Sequence, residues 1–71
     1  MEITVKVRFN ASSQKFETYG NNRYLIYLPF PEDGESEGII ASLISKKTGT
    51  YENRVIFKTK DGMGNWIYEL T

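Results

Sequence analysis

The sequence predicts a two-layer α+β fold: a mixed sheet of four strands, with a candidate fifth, and one helix on one face. Three short segments alternate apolar and polar residues with the period of a half-buried strand. One longer segment carries apolar residues at helical spacing. The order is strands, helix, strands, and a lone helix covers only one face of a sheet.

Each element follows from its residues. Ile3, Val5, Val7 and Phe9 alternate with Thr4, Lys6 and Arg8, a β-branched strand pattern. Residues 10–13 are polar loop. Residues 15–19 read as a short strand around Phe16. Gly20, Asn21 and Asn22 make a turn, because both residue types tolerate positive φ. Residues 23–28 are apolar on both faces after Arg23, as in a central strand. Pro29 and Pro31 stop further pairing. Residues 32–48 read as the helix, capped by Asp33, with Glu35 and Glu37 early and Lys46 and Lys47 late, which suits the macrodipole. Ile39, Ile40, Leu43 and Ile44 form its apolar stripe, which puts Leu43 in the core. Gly38 either permits a close approach to the sheet or marks a late helix start, and Gly49 ends the helix in a left-handed conformation. Residues 54–59 and 66–70 are two further strands, joined as a hairpin through 60–65. Phe57 on the first of them faces the core. The helix thus links strand 23–28 to strand 54–59 as a βαβ crossover, with hairpins at both ends of the chain.

Composition excludes several kinds of chemistry. Seventy-one residues make one domain, 1–71, with no room for separate catalytic and binding halves. Nine basic residues balance nine acidic ones, so no whole-protein charge draws the chain to nucleic acid or membrane. Cysteine and histidine are both absent. That removes disulfides, thiolate metal sites, thiol nucleophiles and the commonest general base. No apolar run approaches the ~20 residues of a membrane span, and residues 1–9 read as strand rather than signal peptide. The expectation is a cytoplasmic, non-enzymatic domain with no cofactor, no metal and no membrane partner.

Motifs along the chain then carry a family likeness. Residues Val5 to Ser12 (VKVRFNAS), Leu28 to Gly34 (LPFPEDG) and Val55 to Phe57 (VIF) occur in order, with little gapping over nearly the whole chain. In this the chain resembles the YggU-like proteins, also called domain of unknown function 167. That family opens with a strand, enters a helix through a Pro-Pro-x-Asp-Gly segment, and closes with a hairpin. The resemblance implies this fold and no established activity. Asp33 and Gly34 carry over from the family's helix entry. The family's Lys-Ala-Asn after that pair is Glu35, Ser36 and Glu37 here, and its basic hairpin signature falls near Met63, Gly64 and Trp66.

Two clusters are candidate sites. Glu32, Asp33, Glu35 and Glu37 could in principle hold a hard cation. The spacing lacks a calcium-loop pattern, and capping of a helix start accounts for acids there. The serines have no histidine to activate them, and Gly62-Met63-Gly64 is too short to cradle phosphate. The sheet face away from the helix is the other candidate. If Ile3, Val5, Val7, Leu25, Tyr27, Val55, Phe57, Tyr68 and Leu70 face the helix, alternation puts Lys6, Arg8, Tyr24, Ile26, Arg54, Ile56, Lys58 and Ile67 opposite. Such a face suits a protein partner or a weak homodimer through its isoleucines. The alternative is weak binding of single-stranded RNA, with Tyr24 stacking and the basic residues pairing phosphates. Left alone, the Lys and Arg stems simply cover the isoleucines.

Overall fold

A computed structural model describes residues 1–71. The strands are β1 (Glu2–Arg8), β2 (Lys15–Gly20), β3 (Arg23–Tyr27), β4 (Val55–Lys60) and β5 (Asn65–Leu70). One helix, α1 (Ser36–Thr48), lies between β3 and β4. The strands form a single five-stranded sheet in the order β2-β3-β1-β5-β4. β1 runs parallel to β3, and every other neighbouring pair is antiparallel. The fold is the expected α+β type, with 15–20 as the fifth strand. Hairpins β2-β3 and β4-β5 form its two edges, and α1 carries the chain from one side of the sheet to the other.

β1 takes the centre because it alternates cleanly: Ile3, Val5 and Val7 are buried beneath the helix. Ile26, Val55, Trp66, Tyr68 and Leu70 join them from the sheet, Leu28 from just past β3, and Ile40 and Ile44 from the helix. Leu43 and Phe57, both expected in the core, pack at its margin and are half-buried. The helix is rotated so that the 40/44 pair points inward and Leu43 lies to one side. Tyr68 joins the layers: its hydroxyl donates to the Glu37 carbonyl at 2.8 Å.

Three local features depart from expectation. The helix starts at Ser36, not at 32. Residues Asp33 to Ser36 instead form a tight turn, in which the Glu35 N–H donates to Asp33 Oδ1 at 2.8 Å and the Asp33 N–H to Ser36 Oγ at 2.9 Å. Asp33 therefore fixes the approach to the helix without being its N-cap, and the N-cap residue, Glu35, makes no side-chain capping bond. Gly38 lies in that first turn, and a Cβ there would meet nothing within 4 Å, so close approach to the sheet is not its role. Residues Glu52–Arg54 form a 3₁₀ turn, so Arg54 stands just outside the β4 ladder. At the other end Gly49, at φ 77°, closes the helix as expected, its N–H donating to the Ser45 carbonyl.

Candidate functional site

The uncovered face of the sheet is built by strand register. On β1 it presents Glu2, Thr4, Lys6 and Arg8, the residues alternating with the buried Ile3, Val5 and Val7. β5 sets Glu69 opposite Glu2, Ile67 opposite Thr4 and Asn65 opposite Lys6. β4 adds Ile56 opposite Glu69 and Thr59 opposite Ile67. A bulge between Phe57 and Thr59 leaves Lys58 unpaired on this edge, its charge acting on Glu69. Lys6, Arg8, Ile56 and Lys58 thus share the open face as the alternation implied, with Ile56 and Lys58 toward the Glu69 end and Arg8 at the opposite end.

The third strand does not obey the assumed alternation. Tyr24 pairs with Val5 and Ile26 with Val7, so both belong to the helix side. Ile26 is fully buried, and Tyr24 packs against the core with its ring edge-on to Phe16 at 5.4 Å. Tyr24 is therefore not a stacking residue of the open face. Leu25 and Tyr27, expected under the helix, take the open side with Arg23 and are half-buried there. Arg54 is exposed in the 3₁₀ turn, and its carbonyl accepts the Thr71 N–H at 3.1 Å. It borders the face rather than lying in its register.

Two residues that the sequence reading missed stand out. Tyr27 lies between Lys15 on β2 and Arg8 on β1. Leu25 lies between Glu17 and Lys6. Counting outward in twos from polar Arg23 would have found both. Lys60 was a further omission, on the helix side: it pairs with Glu32 and stands 4.7 Å over the Trp66 ring.

Along β1 the charge runs from Glu2 at one end to Lys6 and Arg8 at the other, while Lys58 stands near Glu69 and Glu17 is level with Lys6. Glu2 and Glu69 sit side by side at one end, where like charges repel across strands. The Met1 ammonium offsets this by bonding Glu69 Oε2 at 2.6 Å. That bond, helped by Lys58, holds the Glu69 carboxyl below its ordinary range. Lys6, Arg8 and Lys15 occupy the other end. The acids of the helix entry are separate, in the helix layer. Asp33 and Gly34 are exposed there, the Asp33 carboxylate turned to backbone and Glu32 paired to Lys60. No group of three such side chains converges to hold a metal ion. No helix is long and apolar enough to cross a membrane.

Fold and face together define a two-layer α+β domain with an open, mixed-charge sheet. No family model, curated protein or solved structure matches the chain.

Proposed function

We propose that this chain is a small non-enzymatic domain that acts by binding another protein through the open face of its sheet. The observation that carries the reading is the mixture on that face. Leu25, Tyr27, Ile56 and Ile67 stand among side chains of both signs, Glu17 level with Lys6 toward one end and Lys58 near Glu69 toward the other. Apolar groups within a rim of both signs match a protein surface better than a uniformly anionic strand. The resemblance to the YggU-like family, whose role is not established, is compatible with such a module. A cytoplasmic location and independence from cofactors belong to the same proposal.

Single-stranded RNA on the same face is the second reading. One observation favours it: Tyr27, flanked by Lys15 and Arg8, offers a ring for stacking between two cations for phosphates. Capture from native extract separates the two. Wild-type protein should retain a protein partner after nuclease treatment, and Ile56→Lys, folded by circular dichroism, should lose it. Nuclease-sensitive capture would transfer the face to RNA. Capture indifferent to Ile56→Lys and to Leu25→Thr would remove the face from the function.

A further inference from the structure

We propose that the partner of the open face is a second copy of this chain, stacked face to face with its strands reversed. The proposal rests on the reading of that face as a protein interface and names what lies on it. Along the central strand β1 the outward residues run Glu2, Thr4, Lys6, Arg8, from acid to base. Two copies facing one another are related by a two-fold axis in the plane between them. An axis along the strands sets Glu2 over Glu2 and Arg8 over Arg8, which is repulsive. An axis across the strands sets Glu2 of each copy over Arg8 of the other, so the β1 line is its own complement.

The flanks of β1 fit the same axis. Leu25 stands level with Lys6, and Ile67 level with Thr4, one step to either side of Val5. An axis at the level of Val5 therefore brings the two Leu25 side chains side by side on one flank and the two Ile67 side chains on the other. Apolar contact then lies on both sides of β1, with the two Lys6 side chains next to one another on the axis and the Glu2–Arg8 pairs outside. Glu17, also level with Leu25 on β2, is offset sideways by one strand spacing, about 4.8 Å, from Arg23 of the other copy across the gap between the sheets. Sheets stacked this way pack about 10 Å apart with strands roughly aligned. A standard interface takes ~800 Å² from each partner, less than a fifth of the 4518 Å² surface of this molecule. Lysines and carboxylates within the patch keep the association weak, because charged groups are unfavourable at an interface core. Polynucleotide fits the face less well, since Glu2, Glu17 and Glu69 would all oppose its phosphates.

Sedimentation of the whole chain over a concentration series up to ~1 mM, at low salt where charge is least screened, tests the arrangement. Wild type should convert from monomer to dimer. Arg8→Glu alone and Glu2→Arg alone should each weaken that dimer at least about tenfold, because like charges then face one another. Mixing the two variants in equal amounts should restore it, since every facing pair is again opposite in sign. Both positions are at the surface, and circular dichroism would verify folding. A wild type that stays monomeric throughout overturns the second-copy proposal and leaves extract capture by the same face as a separate result. A dimer insensitive to both substitutions, or one that the mixture fails to restore, overturns the reversed stacking. Binding of a single-stranded oligonucleotide by a protein that stays monomeric overturns both the dimer and the protein-interface reading.

Discussion

Tyr68 does two jobs with one side chain: the ring fills the core, and the hydroxyl bonds the first turn of the helix. The Glu37 carbonyl that it meets is also positioned for the i+4 helical bond, so Tyr68→Phe does not leave that acceptor stranded. At neutral pH the substitution should cost about 0.5–1.5 kcal/mol, read from a urea midpoint. Alkaline pH gives the sharper test. Burial, with the Glu37 charge adding to it, holds the Tyr68 phenol well above its ordinary 10.0. The unfolded chain loses this proton near pH 10 and the folded chain does not. The Tyr68 contribution is therefore fully present below pH 10 and drains above it, by about 1.4 kcal/mol per pH unit. The stability gap between wild type and Tyr68→Phe should narrow above pH 10 and reverse in sign by about pH 11.5. Parallel stability curves would mean that the phenol titrates as though free. That Tyr68 is inward was legible, because it alternates with Ile67 and Glu69. Its helical partner was not, because that contact spans 31 positions in sequence.

Two elements show why local pattern is a partial guide. β1 and β5 carry polar residues on one side only, so their inward faces were readable at sight. β3 is apolar on both sides, and there alternation has nothing to separate. Pairing with β1 decides its orientation, through Val5 against Tyr24 and Val7 against Ile26. The choice moved Tyr24 off the candidate site and Tyr27 onto it. The helix entry misled differently. Acids before an apolar stripe look like a cap, yet the chain makes a separate turn through Asp33 before the helix begins. In that turn Ser36 is the critical member, fully buried and accepting the Asp33 N–H. Ser36→Ala leaves that donor without its acceptor and should cost about 1–3 kcal/mol. Asp33→Ala removes an exposed acceptor from the Glu35 N–H, which water can replace, and should cost less. Equal losses in parallel denaturation curves would show that Asp33 is the stronger anchor after all.

At the scale of the whole molecule, the two layers share one small core, and its margins decide what is exposed. One helix of 13 residues cannot cover five strands evenly. It approaches β4 and the 3₁₀ turn most closely, and Lys47 reaches the distant β2 by standing 5.7 Å over the Phe16 ring. A chain of this length has a net stability of about 4–10 kcal/mol, so a single core truncation matters to the whole fold. The sequence stripe ranked Leu43 with its isoleucine neighbours, since spacing alone gives the axis of an amphipathic helix only to within one residue. The packed structure separates them: Ile40 and Ile44 are fully enclosed, and Leu43 lies half in solvent. Ile44→Ala should therefore cost about 2–5 kcal/mol, enough to unfold a large share of the molecules at moderate temperature. Leu43→Ala leaves a surface recess that water fills and should cost clearly less. Thermal and urea denaturation of the two variants side by side would decide the matter. If Leu43→Ala proved the more damaging, α1 would be turned by about 100° from its described orientation. The contact between Tyr68 and the first helical turn would then have to be abandoned with it.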